Sequence, residues 1–237
     1  MLHNISNKIS KLTILCLFLL SSCTTTMVDR AAKYNKYKVL SNISAVDSSF
    51  SELESLLYVD IKSQNMYLLR KGTILKAFKI SSSYYGTGST INSLKTPLGK
   101  HEIYKKIGQD LPINAILKGR VWNGAVANVI TEDIDTDFDH VTSRILWLDG
   151  LENGKNKGPG VDSRSRYIYI HGTAEEGLIG RPASDGCIRM YNTDVIDLFD
   201  LVNEKVQVWI YLYQLIRDCY EKNIYCFITN FRKLHFC

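Results

Sequence analysis

A cysteine and a histidine, Cys187 and His171, are the two side chains of this sequence best suited to covalent catalysis. Cys187 follows a turn-forming stretch, Ser184 to Gly186, in which glycine frees the backbone and lets another chain approach closely. His171 ends an alternating apolar run, Tyr167 to Ile170, whose period is typical of a strand. A thiol on a tight turn and an imidazole at a strand end predict a nucleophilic pair. In such a pair the histidine takes the thiol proton and returns it to the leaving group.

Two ordered motifs surround this pair. His-Gly-Thr at residues 171–173 is followed, after an intervening loop, by Ser-x-Gly-Cys-Ile-Arg-Met at residues 184–190. Upstream, residues 96–103 read T-P-L-G-K-H-E-I. Together these motifs resemble those of L,D-transpeptidases with a YkuD-type catalytic domain, in which the upstream segment reads T-P-x-G-x-x-x-I. The resemblance covers roughly residues 56–211. Asp185 departs from it, since the family often has a second histidine at that position.

The resemblance implies a fold and a reaction. The implied fold is mainly β: a YkuD-like β-sandwich or barrel of mixed strands with one or two short helices. The implied substrates are peptidoglycan stem tetrapeptides, from which Cys187 would expel D-alanine to form a thioester. An amine of another stem peptide, or of a wall-attached protein acceptor, would then resolve the thioester. This chemistry requires no cofactor.

Two alternatives to transpeptidation are open at this point. Water can resolve the same thioester, which would make the protein an L,D-carboxypeptidase or an amidase that releases wall-bound protein. A non-catalytic wall-binding lipoprotein could also keep this fold. The intact Cys187 and His171 pair argues against the non-catalytic alternative, in which both side chains would be structural.

Further site residues are predicted beside the pair. The N–H groups of Gly186 and Cys187 are suited to an oxyanion hole, because glycine lets the peptide approach a tetrahedral intermediate. In the resembled family the carbonyl after the histidine orients the imidazole, a role that falls here on Gly172. Arg189 is suited to bind a substrate carboxylate with two parallel hydrogen bonds, the alternative being a structural salt bridge. Ser184 borders the substrate in this assignment and is expected to order the turn through local hydrogen bonds.

Asp185 is not predicted to be the base. Aspartate favours turns because its side chain bonds the backbone two residues on, and we expect that role here. Its negative charge, close to the thiolate, would raise the thiol pKa.

The first residues predict export. Residues 1–22 combine two lysines with a short apolar run, Leu12–Leu20, as in a signal peptide. The run is shorter than the roughly 20 apolar residues of a transmembrane helix. Residues 20–23, Leu-Ser-Ser-Cys, resemble a bacterial lipobox, in which Cys23 would become lipidated; the alternatives are an ordinary secretory signal and an uncleaved anchor. Thr24 rather than aspartate after Cys23 resembles outer-membrane sorting. We therefore expect a periplasmic protein with a lipid anchor in the outer membrane.

Length and composition favour one domain with appendages. A chain of 237 residues with 45% hydrophobic residues can bury a core. Residues 23–55 are predicted to be a tether with a short helix, or alternatively a disordered linker over 24–45. The catalytic domain is predicted at 56–213. The tail, 214–237, has no assigned role, and its cysteines leave pairing open: Cys219, Cys226 and Cys237.

Several classes of function are not indicated. The formal net charge is +5, but the leader and the tail carry much of it, and no nucleic-acid motif is present. A zinc site is not indicated, because C-x-x-C and H-E-x-x-H are absent from the sequence and the other histidines are scattered. Gly86 and Gly88 form a Gly-x-Gly, but without the strand, helix and lysine of a phosphate loop.

The elements that position the pair are predicted to be mostly strands. Three short strands, at residues 57–61, 66–69 and 73–80, alternate with tight turns and predict an antiparallel meander. Further strands are predicted at residues 100–107, 144–148 and 206–211.

A helix is predicted between the catalytic stretch and the last strand. Thr193 is a good N-cap, and Asp194 and Asp197 favour the positive end of a helix that runs to Asn203. Its apolar residues recur at helical spacing and are expected to face the core: Val195, Ile196, Phe199 and Val202.

Residues 108–165 show the least regular pattern. The resemblance implies a lid loop over the cleft, and this is where we place it. Trp147 belongs to the core in the alternative interpretation. The five acidic residues between Glu132 and Asp139 are expected to form a solvated face.

Overall fold

The structure is a computed structural model that describes residues 36–137 and 139–212. The chain forms two units, divided between Ser48 and Ser49. Helix α1, described over residues 36–46, belongs to the first unit and lies in the predicted tether. The leader with Cys23, and the tail with Cys219, Cys226 and Cys237, lie outside the described residues. Within those residues, no helix has the length and apolar content needed to cross a membrane.

The second unit is built mainly from strands. The described strands are β1 (Ser55–Asp60), β2 (Asn65–Arg70), β3 (Thr73–Lys79), β4 (Gly99–Ile107), β5 (Ala115–Lys118), β6 (Val121–Val126), β7 (Val141–Gly150), β8 (Tyr169–Thr173), β9 (Ile188–Met190) and β10 (Gln207–Tyr211). Helix α2 is Asn192–Leu201, and Ser48–Glu52 and Glu176–Leu178 are 3₁₀ helices.

The strands form one mixed sheet. Its order is β3-β2-β1-β10-β4-β7-β5-β6, with β8 paired to β7 and β9 paired to β8. β1, β2 and β3 form the predicted antiparallel meander. β10 lies parallel to β1 and antiparallel to β4, and β9 lies parallel to β8. The predicted mainly β fold with mixed strands and short helices is therefore confirmed.

Helix α2 packs against β7 and β8 through one apolar face. Val195, Leu198 and Phe199 are buried at helical spacing, whereas Ile196, which was predicted to face the core, is only half-buried. Burying a side chain of this size contributes about 1.5–3 kcal/mol. The helix ends where Lys106 Nζ donates to the carbonyls of Phe199 and Val202, at 2.6 and 2.7 Å.

The prediction of Thr193 as the N-cap was wrong. The helix starts at Asn192, and its N-cap residue, Tyr191, makes no capping bond with its side chain. A carboxylate from another segment substitutes, since Asn192 N–H donates to Glu176 Oε1 at 2.7 Å. The Asn192 side chain also donates to Thr173 O at 2.7 Å. This buried network, which a local capping rule does not take into account, fixes the start of the helix two residues earlier than predicted.

Residues 108–165 contain more regular structure than predicted. β5 and β6 form a hairpin joined by Gly119 and Arg120, whose φ angles are +57° and +70°. Positive φ at both central residues is typical of a type I′ turn. Every residue of β6 is exposed, so no burial alternation marks this strand in the sequence. The predicted strand at 144–148 is the centre of the longer β7.

Candidate active site

Strands β8 and β9 bring His171, Cys187 and Arg189 together. Their parallel register pairs His171 directly with Arg189, so both side chains lie on one face of the sheet. Cys187 immediately precedes β9, and it packs against a cluster that contains Tyr169, which lies on the same face of β8 as His171. The Tyr169 N–H donates to Cys187 Sγ at 3.3 Å, which fixes the sulfur against β8.

The turn that presents Cys187 depends on Gly186 and on Thr96. Gly186 has φ +118°, a region that strongly favours glycine. Its carbonyl accepts a hydrogen bond from Thr96 Oγ1 at 3.0 Å, and Thr96 is fully buried. Sequence reasoning included Thr96 in a motif without giving it a role. The structure assigns it the anchoring of the peptide bond just before the candidate nucleophile.

Ser184 makes its hydrogen bonds within the turn. It is fully buried; its Oγ donates to Cys187 O at 2.6 Å and accepts from Gly186 N–H at 3.3 Å. The bond to the backbone two residues on, which was predicted for Asp185, is therefore made one residue earlier. Asp185 makes no hydrogen bond within the described residues, so that prediction was wrong. The serine side chain, although shorter than that of aspartate, reaches the Gly186 N–H because the turn brings the two groups together.

Cys187 is held as a thiol at neutral pH. Burial raises its pKa to about 12, and the Asp139 carboxylate acts in the same direction. The Tyr169 N–H, Arg189 and Arg166 oppose this rise without overcoming it. The residue as a whole is still partly accessible, so a ligand can reach it. A thiol in this state needs a base to become a nucleophile.

His171 is suited to be that base. Its imidazole is buried, and Nδ1 lies 2.7 Å from Gly172 O, the carbonyl predicted to orient it. With the proton on Nδ1, the lone pair is on Nε2. Burial lowers the pKa of His171, although Asp139 and the Gly172 bond oppose this, so the imidazole is neutral at pH 7. Within the described residues no hydrogen bond joins His171 to Cys187.

Gly172 allows a close approach between β8 and the start of α2. A Cβ at this position would lie 2.5 Å from Asn192 Oδ1 and 2.9 Å from Thr142 O. Any side chain would therefore displace the strand whose carbonyl orients His171.

Arg189 is engaged by two carboxylates. Nη1 lies 2.8 Å from Glu175 Oε2, and Nη2 lies 2.7 Å from Asp139 Oδ2. The Arg189 side chain is only 3% exposed, so the predicted carboxylate-binding groups already have protein partners. The alternative, a structural salt bridge, is the arrangement found. Sequence reasoning missed Glu175 and Asp139, because neither is close to Arg189 in the chain.

Glu175 also holds the acidic loop. It accepts hydrogen bonds from Thr136 N–H and Thr136 Oγ1, at 2.7 and 2.6 Å. The acidic residues of this loop are exposed, as predicted, but two of them also form ion pairs: Asp133 with Arg181 and Asp139 with Arg189.

A cavity of about 250 Å³ opens beside this loop. It is strongly acidic, and partial burial together with the nearby Asp139 carboxylate raises the pKa of Asp185 in its wall. In the part of the chain that is described, no cluster of histidine, cysteine and acidic side chains is suited to hold a metal ion. The cavity is lined by Tyr84, Tyr85, Asp135, Thr136, Asp137, Asp139, Ala183, Asp185 and Arg189.

Comparison with known proteins assigns the family. Residues 54–210 match the YkuD family model, described as the L,D-transpeptidase catalytic domain. The protein YkuD of Bacillus subtilis (strain 168) is 47% identical over 49 residues, which are 20% of this chain and 30% of that protein. The chain therefore spans less than a third of that relative in the match.

Solved L,D-transpeptidases are also similar. One from Mycobacterium smegmatis is 14% identical, with a TM-score of 0.40, over 67% of this chain and 58% of its own. L,D-transpeptidase 3 from Mycobacterium tuberculosis is 13% identical, with a TM-score of 0.42, over 67% and 61%. Likenesses of this size add nothing to the assignment, which depends on the family model. The chain belongs to the YkuD family of L,D-transpeptidase catalytic domains.

Proposed function

We propose that this protein is a peptidoglycan L,D-transpeptidase in which Cys187 is the nucleophile and His171 the general acid and base. The observation that carries the proposal is the state of His171. It is neutral, its Nδ1 is fixed to Gly172 O, and β8 holds it on the same face as the sulfur. A buried thiol beside such an imidazole is the combination that nucleophilic catalysis requires.

In the first half-reaction, His171 Nε2 takes the proton from Cys187 Sγ. The sulfur attacks the carbonyl carbon of the third residue of a stem tetrapeptide, and the carbonyl electron pair moves to oxygen. Gly186 N–H donates to Ser184 Oγ, so we assign the oxyanion to Cys187 N–H. The bond to D-alanine then breaks, and Nε2 returns the proton to the leaving nitrogen. A thioester on Cys187 remains.

In the second half-reaction, an amine attacks the thioester carbon. His171 takes a proton from the amine nitrogen, the carbon–sulfur bond breaks, and Cys187 regains its proton from the imidazolium. The Tyr169 N–H, 3.3 Å from Sγ, stabilises the sulfur whenever it carries negative charge.

The acidic cavity supports an amine rather than water as the acceptor. Asp135, Asp137 and Asp185 line it, and these carboxylates attract an ammonium group. The bound ammonium loses one proton to solvent before it attacks, so that His171 stays neutral and can take the second proton during amide formation. Water gains nothing from the negative charge, so the cavity favours transfer over hydrolysis.

The test is to incubate the full chain with purified tetrapeptide muropeptides and identify the products by mass spectrometry. Cross-linked dimers support transpeptidation. Tripeptides alone, formed with loss of D-alanine, would assign the protein to the L,D-carboxypeptidases. Products equally abundant with Cys187→Ala would reject the nucleophile.

For its place in the cell, we propose a lipoprotein anchored to the outer membrane and exposed to the periplasm. The support is the lipobox-like Leu20–Cys23 sequence, followed by Thr24. Cys23→Ala is expected to release the protein from membranes while leaving the catalytic domain active. A mature N-terminus elsewhere in the chain, without added lipid mass, would disprove the anchor.

A further inference from the structure

Arg120 lies on a group of aromatic side chains beside Cys187. It is the second residue of the β5–β6 turn and is partly exposed. Its guanidinium carbon lies 4.8 Å from the ring centre of Trp147 and 5.0 Å from that of Tyr167. Its Nη1 donates to Tyr169 Oη at 3.1 Å. Stacking and this hydrogen bond hold the guanidinium in one place.

The same aromatic residues hold the candidate nucleophile. Cys187 packs with Trp147 and Tyr169 in a small apolar cluster. The Tyr169 N–H donates to Sγ, and Sγ lies 3.5 Å from Tyr167 O. Arg120 is therefore attached to the two residues whose backbone groups contact the sulfur.

Tyr167 has an unusual backbone for a bulky residue. Its φ is +56°, and its side chain is largely solvent-exposed, with a relative exposure of 52%. The conformation belongs to the end of a turn, in which Tyr167 N–H donates to Arg164 O and Ile168 N–H donates to Ser163 O, both at 3.1 Å. Here the conformation turns the carbonyl towards Cys187 and the ring against Trp147, at 5.8 Å between centres.

Arg120 differs from Arg189 in its charge balance. Arg189 faces two carboxylates, whereas Arg120 forms no ion pair within the described residues. Its hydrogen-bond partners there are neutral phenols, those of Tyr169 and Tyr167. A fixed, partly exposed guanidinium without a counter-ion is suited to bind a carboxylate through its remaining N–H groups.

We propose that Arg120, held by Trp147, Tyr167 and Tyr169, binds a carboxylate of the donor peptide next to the carbonyl that Cys187 attacks. The inference rests on the proposed transpeptidase function and adds the group that selects the donor. Stem peptides whose second and third residues carry free carboxylates are the donors it favours over their carboxamide forms. Arg120 acts on binding, so it selects substrate without transferring a proton.

The experiment compares two tetrapeptide donors that differ only at these carboxylates, free in one and converted to carboxamides in the other. The rate constant for acylation of Cys187 is measured by mass spectrometry on the full chain. Arg120→Gln removes both the positive charge and the paired N–H donors of the guanidinium, whereas Arg120→Lys keeps the charge but not the paired donors. Lys118→Gln, on the same hairpin and also exposed, is the matched control for lost positive charge.

For Arg120→Gln we expect acylation by the carboxylate donor to slow roughly 10- to 100-fold, the range for a hydrogen bond to a charged group. The carboxamide donor should change by no more than about twofold, as should both donors with Lys118→Gln. Arg120→Lys should recover part of the loss.

Two results overturn the inference. Equal slowing with both donors means that Arg120 only supports Tyr169 and the sulfur. Unchanged rates with both donors mean that it has no part in the site. If the unmodified protein is acylated by neither donor, the proposed function itself is wrong. The measurement on the unmodified protein therefore distinguishes failure of the proposed function from failure of the Arg120 inference.

Discussion

Arg189 and Arg120, two of the arginines near Cys187, lie in opposite environments. The Arg189 side chain is 3% exposed and forms ion pairs with Glu175 and Asp139, so its positive charge is neutralised within the protein. Arg120 is partly exposed, stacked on aromatic rings, and has phenols as its hydrogen-bond partners. Arg189 is close to Cys187 in sequence, whereas Arg120 reaches the site from a distant hairpin. A guanidinium near the candidate nucleophile is therefore available to a substrate carboxylate only when no protein carboxylate already neutralises it.

The largest expected effect is a difference in the free energy of unfolding between variants of Arg189 and of Arg120. Arg189→Gln leaves Glu175, which is 1% exposed, as a buried carboxylate without its partner. Breaking a buried pair in this way costs about 3–5 kcal/mol. Arg120→Gln should cost only about 1–2 kcal/mol, because it loses cation–π contacts and its hydrogen bonds to phenol groups at a partly exposed position. Urea unfolding of both variants provides the measurement, and equal losses would contradict the assignment of Arg189 as structural.

A second buried group makes stability depend on pH. His101 lies between Gly99 O and Ser163 Oγ, and burial lowers its pKa to about 4. In the unfolded chain its pKa returns to about 6.5, so the unfolded state binds the proton first as pH falls. The contribution of His101 to the free energy of unfolding is therefore fully present above about pH 6.5, and about 3 kcal/mol of it is lost on acidification to pH 4.

The control for this pH effect is His101→Gln, which removes the titrating group and keeps a polar side chain. Unfolding of the two proteins should be compared at pH 7 and pH 4. An identical loss in both would assign the acid sensitivity to other groups.

The smallest effect concerns Asp139, the exposed partner of Arg189. Its side chain is 28% exposed, so Asp139→Asn should cost less than about 1 kcal/mol. Its charge raises the pKa of Cys187, and the variant should therefore lower that pKa. Alkylation of the Cys187 peptide across a pH series measures the change. Asp185→Asn is the comparison, expected to shift the pKa slightly and keep most activity; a larger shift than with Asp139→Asn would reverse this ranking.

Sequence patterns predicted the elements that carry a local sequence signal. The meander, β4, β7 and β10 were predicted because each combines apolar periodicity with turn residues on either side. β6 was missed because all its residues are exposed, and β9 because it is only three residues long. Neither strand shows an alternation of apolar and polar residues over the length from which a strand is predicted.

The site was predicted in part for the same reason. Cys187, His171 and Gly172 are recognisable because short motifs contain them. Glu175, Asp139 and Arg120 act through contacts that only the tertiary structure creates, and no local spacing indicates them. Arg189 shows the limit most clearly, since its motif position indicated a substrate contact, whereas its partners are Glu175, just after β8, and Asp139 in the distant acidic loop.

The most direct test of the proposed mechanism is the intact mass of the full chain after incubation with a tetrapeptide donor. We expect an adduct equal to the donor minus D-alanine, located on Cys187 by peptide mapping and absent from Cys187→Ala. His171→Ala should form the same adduct roughly 10²–10⁴ times more slowly, as expected for lost acid–base assistance. Loss of D-alanine from the donor at an unchanged rate in Cys187→Ala would contradict the account.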